Sequence, residues 1–421
     1  MKRTGAEAGS RASRPRPDRG LDLLNLLLAG SGSAYGAFIP VYLVSHSWSQ
    51  TRIGMVLTVG TIVSMLCQVP AGMLVDAMGA RRRRILAIAI FASCITPLLF
   101  AWMPQKLPIL IAMVLQAMAG SLLSPAIAAL SLAVAGREHL GERLGRNSRY
   151  GSVGAGFGAV VMGACVYSGS QRLVFLVAAL MIAPALWALF RIGPDRLEPV
   201  AAAAAADAVP GQKKSGLLAP LALLRDRRLL VFALCVALFQ TASIAVLQLS
   251  AVEVTARLGS RSGVVIAAFL LVPQIMVAWL SPGIGRFAER YGRRSVLLFG
   301  FLTVPLRGVL FAVVKNPYAL VPVQALEGVG GGIFGVMMPL VAADLTRVTG
   351  NYTLCLSLFG LAAGLGGAVS TSMAGWVLDS FGRTAAFWAL AVAGMLAAAL
   401  VALAMPETRP PVVPEQGADP K

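Results

Sequence analysis

The sequence predicts an all-α membrane protein of about twelve transmembrane helices, arranged as two six-helix pseudo-symmetric halves. Composition is the first sign. The 421 residues are 57% hydrophobic and 13% charged, with a mean hydropathy of +0.77, whereas a soluble domain is nearer half apolar and a quarter charged. The second is run length. Apolar stretches of about 18 to 25 residues can each cross ~30 Å of hydrocarbon as a helix, and the ten-residue alternation of barrel strands is missing. The third is a repeat. The turn Gly72-Met-Leu-Val-Asp76-Ala-Met-Gly79-Ala-Arg81-Arg82 returns as Gly285-Arg-Phe-Ala-Glu289-Arg-Tyr-Gly292-Arg293-Arg294, with acid and second glycine both displaced by 213 residues.

Taken in order, residues 1–20 carry six cations and no apolar period, and are expected to be a disordered basic tail. The N-terminal half is read as 21–190. Its spans lie near Leu21–Val44, Ile53–Val75, Ile85–Trp102, Leu107–Ala135, Tyr150–Ser168 and Leu173–Phe190, with a polar link Gly136–Arg149 before the fifth. Pro125 is expected to kink the fourth span. Gly154 and Gly158 form a GxxxG pair, which marks a tightly packed helix face. The connector 191–228, with its poly-alanine tract and Lys213-Lys214, is too polar to span and divides the halves. Six further spans are read in the C-terminal half, 229–405, followed by a tail, 406–421.

With both termini on one side, 28 of the 36 Lys and Arg fall on that side, which predicts cytoplasmic termini. That distribution also accounts for the net charge of +18 without nucleic acid. Five cysteines lie singly within apolar runs, so neither disulfides nor a metal site is expected. No nucleotide-binding Gly-x-x-x-x-Gly-Lys-Ser/Thr occurs, no nucleophile–base pair stands at workable spacing, and no cleavable signal is read at the N-terminus. An enzyme is therefore not expected, and no cofactor is.

Laid out this way, the chain resembles the major facilitator superfamily from about Leu21 to Arg409. The second-to-third-helix turn of that family is met at Gly72, Asp76, Gly79, Arg81 and Arg82, and again at Gly285, Glu289, Gly292 and Arg294. The resemblance implies that these residues, with Arg293, form a cytoplasmic gate whose acids cap or pair with facing helix ends. Arg83 and Arg84 read better as topogenic charge. Ala77 stands where many members carry arginine, so the first clamp is expected to be looser. Gln116-Ala-Met-Ala119-Gly120 lacks the cation of many proton-coupled members, and the fifth span lacks the proline of many drug–proton antiporters.

The resemblance further implies a cavity lined by the first, fourth, seventh and tenth helices. Candidate lining residues are Tyr35, Gln116, Ser124, Gln240, Thr241, Ser243, Gln248 and Gln324, with Gln68 and Gln274 on neighbouring helices. Glu327 lies about nine residues, or ~14 Å, into the tenth span, and Arg307 ~10 Å into the ninth. A carboxylate at that depth must be protonated, paired or hydrated. Two readings stay open for it: a proton carrier, which is preferred, or a buried pair with Arg307. Arg307 could equally snorkel to the headgroups. Asp22 and Glu253, near helix ends, are read as capping or solvated.

The function expected is secondary active transport by alternating access in a bacterial inner membrane. Proton-coupled efflux of neutral or cationic, partly apolar small molecules is the first choice. The rivals are a transporter for a specific metabolite, sugar or siderophore, and a transport-dead sensor or scaffold. The expected partners are a small-molecule substrate, protons and the lipid bilayer, with the chain a monomer.

Overall fold

The computed structural model describes residues 19–36, 38–78, 82–103, 105–167, 171–192, 223, 225–259, 262–347 and 349–408, without the side chains of 33–35, 41, 50, 51, 82, 166, 167, 171, 262 and 263. Most of the expected tails and of the connector fall outside these residues, but Arg19 and Gly20 belong to the first helix and 406–408 are described. The N-terminal half contains α1 (Arg19–Gly36), α2 (Ile39–Ser45), α3 (Gln50–Ala77), α4 (Arg82–Trp102), α5 (Lys106–Ala135), α6 (Leu140–Tyr167) and α7 (Gln171–Phe190). The C-terminal half contains α8 (Arg227–Leu258), α9 (Ser262–Tyr291), α10 (Arg293–Val313), α11 (Leu320–Val323), α12 (Ala325–Leu345), α13 (Tyr352–Phe381) and α14 (Arg383–Ala404). Among the described residues, ten helices are long and apolar enough to cross a membrane.

The remaining two crossings depart from simple hydropathy for separate reasons. The first span is divided into α1 and α2. The fifth is α6, whose opening turns carry Glu142, Arg143, Arg146 and Arg149. The polar link expected before the fifth span is therefore mostly helix. Arg143 and Arg146 are tolerated because they meet partners inside the bundle, as described below, while Glu142 and Arg149 are exposed. The tenth span is likewise broken, into α11 and α12 at Gln324. In a bilayer each crossing must satisfy its backbone internally, and a break survives only where protein surrounds it; Gln324 is 1% exposed.

Glycines set how closely the helices approach. A side chain on Gly154 would run into the carbonyl oxygen of Leu26, and one on Gly158 into that of Gly30. The GxxxG pair thus packs α6 against α1 within one half. The C-terminal half repeats the device, with Gly366 of α13 against the carbonyl of Ala237 in α8. Between halves, α6 packs on α9 and α12, while α3 and α5 pack on α13.

Replacing Gly158 with leucine should lower thermal stability by about 1–3 kcal/mol or more, because backbone cannot move aside. Gly163→Leu, with no heavy atom near the added Cβ, should leave the melting curve of the detergent-purified protein unchanged.

Candidate functional site

The two repeated turns lie at one end of the bundle, called here the basic end. In the first, Asp76 closes α3 and reaches across to the opposite half. Its Oδ2 accepts from the Leu354 amide at 2.8 Å and its Oδ1 from the Thr353 amide at 3.2 Å. These are amides that open α13 and have no partner within it. A carboxylate there also meets the positive end of the helix dipole. The Thr353 hydroxyl donates to the Gly72 carbonyl at 3.0 Å. A Cβ on Gly72 would stand 2.5 Å from Ser357 Oγ and 2.8 Å from the Thr353 carbonyl, so only glycine allows this approach. Gly79 and Arg81 lie outside the described residues, as does the side chain of Arg82.

The second copy meets the N-terminal half by the symmetric route. Gly285 rests on the backbone of Gly141, and Glu289 Oε1 lies 3.3 Å from where a Gly141 Cβ would be. Arg137 adds a link between halves by donating to the Ala343 carbonyl at 2.7 Å. Arg293 and Arg294 of this copy are bonded within their own half. Arg293 Nε donates to Asp344 Oδ2 at 3.1 Å. The amides of Arg293 and Arg294 donate to the two carboxylate oxygens of Glu407, at 2.8 and 3.1 Å. Gly292, at φ +89°, makes the turn, and a Cβ there would lie 2.5 Å from Glu407 Oε2. Glu407 as the cap of α10 escaped sequence reasoning, although a carboxylate just past a last helix was a usable signal.

Two further ion clusters correct the sequence reading. Asp22, expected to cap or be solvated, is 4% exposed and pairs with both Arg143 and Arg146 of α6. Asn147 Oδ1 accepts from Arg143 Nε at 2.9 Å, and its amide donates to Ser131 Oγ at 2.6 Å. This network joins α1, α5 and α6. At the opposite end Glu253, 8% exposed, pairs with Arg257 and Arg383 instead of facing solvent. Arg83 also does more than add charge, since its guanidinium donates to the Phe190 carbonyl at 2.8 Å.

Glu327, in the first turn of α12, and Arg307 of α10 form an ion pair. Arg307 is turned into the half, not out to headgroups, and its Nη2 donates to the Ser243 carbonyl at 2.9 Å. Its side chain is 3% exposed while that of Glu327 is 32% exposed. Glu327, Gly331 and Gly335 share one face of α12 at four-residue spacing. The Cβ missing from Gly335 would lie 3.7 Å from Ser148 Oγ of α6, so that face looks toward the other half.

The amide and hydroxyl candidates scatter. Gln116 and Gln68 line one cavity of about 370 Å³ between α3, α5 and α13. Thr241 is buried and gives its hydroxyl to the carbonyls of Ala237 and Gly366 at 2.9 and 3.0 Å, tying α8 to α13. Gln324 is buried at the break in the tenth span. Ser243 is buried beside Arg307, Gln240 and Gln274 are half-buried, and Ser124 and Gln248 are exposed. Tyr35 belongs to α1, and its side chain is outside the described set.

Two helical halves meeting at repeated seams, with charge and amides held inside the bundle, define a two-domain membrane transporter. The profile of the Major Facilitator Superfamily matches residues 21–281 and 255–420. An uncharacterized MFS-type transporter of Mycobacterium tuberculosis is 34% identical over 400 residues, 94% of each chain. The multidrug transporter protein MdtP of Bacillus subtilis is 29% identical over 136 residues, 32% of this chain and 24% of its own. The human organic anion transporter MFSD10 (TETRAN) superposes with a TM-score of 0.69 at 16% identity, over 91% of this chain and 99% of its own. FucP, solved in an outward conformation, gives 0.68 at 15% identity, over 92% and 98%. The chain belongs to the major facilitator superfamily and is a multi-pass membrane transporter.

Removing one partner of the Asp22 network leaves a buried charge uncompensated, at a cost of about 3–5 kcal/mol. Asp22→Leu should therefore lower the melting temperature sharply. The double variant Asp22→Leu/Arg143→Met should recover part of the loss, as read by unfolding of the purified protein.

Proposed function

We propose that this chain is a secondary active transporter working by alternating access, and that it couples proton movement to the efflux of neutral or cationic, partly apolar small molecules. The observation that carries the coupling is Glu327, a carboxylate one-third exposed on a face directed at the opposite half, with a buried arginine behind it. Such a carboxylate exchanges a proton with the space between the halves while its partner stays anchored to the Ser243 carbonyl. Protonation changes the local charge by one at the place where the halves face each other. That is the kind of change that biases a two-state rocking motion. The sequence likeness to a multidrug transporter over about a third of the chain supports efflux.

In this reading the protein sits in a bacterial inner membrane as a monomer, with both termini and the basic end in the cytoplasm. The charge asymmetry along the chain supports that orientation. The two turns are a cytoplasmic gate: Gly72, Asp76, Gly79, Arg81 and Arg82 on one side, Gly285, Glu289, Gly292, Arg293 and Arg294 on the other. The Asp76 contacts support a closed gate, which in this reading leaves the substrate space facing outward. The glutamine-lined cavity favours one other reading, a transporter for a hydroxyl-rich metabolite such as a sugar.

Proton movement in inside-out vesicles tests the coupling. A panel of lipophilic cations, neutral drugs and sugars should include a compound that evokes proton release by the wild type and none by Glu327→Gln. Substrate-evoked release that survives in Glu327→Gln would remove the carrier role and leave the pair structural. Release evoked by sugars alone would favour the metabolite reading.

A further inference from the structure

The two seams between the halves are built from repeated elements but are packed differently. Where α6 meets α9, Gly141 lies on Gly285 and Gly145 on the carbonyl of Ser281, backbone against backbone. Where α3 meets α13 that closeness occurs at the basic end, at Gly72. Deeper in the bundle the same seam opens into the cavity of about 370 Å³, within the ~300–1,000 Å³ usual for small-molecule sites.

Its lining is chemically specific. None of the described lining residues is ionisable; the polar ones are Thr61, Ser64, Gln68 and Gln116. The apolar wall includes Met65 and Met113, which are long and adaptable. Gly364 keeps the space open on the α13 side, its absent Cβ 3.3 Å from the end of Met65. Gln68 sits against Gly360, its Oε1 3.1 Å from where a Cβ would be. Gln116 Oε1 is buried and has no hydrogen-bond partner among the described residues. A buried acceptor left alone is costly, and such groups are as a rule satisfied.

We infer that this cavity is a substrate subsite for an uncharged solute with an apolar body and at least one N–H or O–H donor, the donor bonding Gln116. A charged head would find no counter-ion among the described lining residues and would be desolvated without return. The inference rests on the transporter reading above and narrows its substrate class to the uncharged member. The subsite lies on helices other than the one bearing Glu327, so binding there does not need the carboxylate.

Equilibrium binding to the full chain in lipid nanodiscs tests it, with tritiated octanamide as probe and protein-free nanodiscs as background. Octylammonium and octanoate, which share its tail, serve as charged competitors. Saturable octanamide binding is expected, with both competitors at least tenfold weaker. Gln116→Leu should weaken binding about fivefold, the effect of one neutral hydrogen bond. Gly364→Leu should abolish it by filling the space, and Gly163→Leu, on α6 and outside the lining, should leave it intact. Should Gly364→Leu fail to fold, octanamide should protect Met65→Cys from maleimide, and protect it less when Gln116→Leu is added. No saturable binding to wild type, unchanged affinity in Gln116→Leu, or preference for octylammonium would each overturn the subsite. Because no gradient is present, lost proton release with intact octanamide binding counts against the coupling alone.

Discussion

Every helix begins with backbone amides that its own turns cannot satisfy, and α13 begins with two of them bonded to a carboxylate from the other half of the molecule. Hydrogen bonds to a charged acceptor contribute about 1.5–3 kcal/mol each. Two such bonds bias an equilibrium by orders of magnitude, at tenfold per ~1.4 kcal/mol. They remain breakable by a change of comparable size elsewhere. The bonds depend on closeness, and closeness depends on Gly72, whose lack of a side chain lets α3 rest on Thr353 and Ser357. An acid, a glycine and a helix end are one unit; each would be ineffective without the others.

The same economy runs through the rest of the bundle. Between helices in a bilayer, close van der Waals packing and polar contacts replace the hydrophobic drive available in water. Gly154 and Gly158 against α1, Gly366 against α8, and Gly141 against Gly285 supply the closeness. The buried ion clusters supply the polar part. Asp22 gathers two arginines of α6, and α6 is the helix whose opening glycines touch the opposite half. The network thus holds one side of the second seam rigid from behind. Glu253 with Arg257 and Arg383 ties helices of the C-terminal half at the other end.

Much of the fold was legible because hydropathy, glycine spacing and a repeat of 213 residues are local or periodic signals. The membrane-embedded helical class, the superfamily and the position of both turns could be read from them. Pairings could not, because the partners are distant in sequence: Asp22 meets Arg143 across 121 residues. Isolated near a helix end, Asp22 looked like a cap. The signal that was there, Arg143, Arg146 and Asn147 at three- and four-residue spacing, looked like a solvated link because hydropathy ignores partners. Glu327 and Arg307 were both singled out by depth, yet depth alone cannot tell a proton carrier from a pair. The glutamines illustrate the same limit. Gln116 and Gln68 share one cavity, whereas Gln324 is enclosed at a helix break; from sequence the three looked alike.

Asp76 bonds the two halves together at the basic end, and the proposed transport cycle requires this contact to open. Distances between spin labels at Ala77 and Thr349, both exposed beside the contact, measure it directly by double electron–electron resonance in nanodiscs. One short population is expected for the otherwise native chain and a new, longer population in Asp76→Ala, since two α13 amides lose their acceptor. A distance distribution left unchanged by Asp76→Ala, in a protein that still folds, would contradict that role.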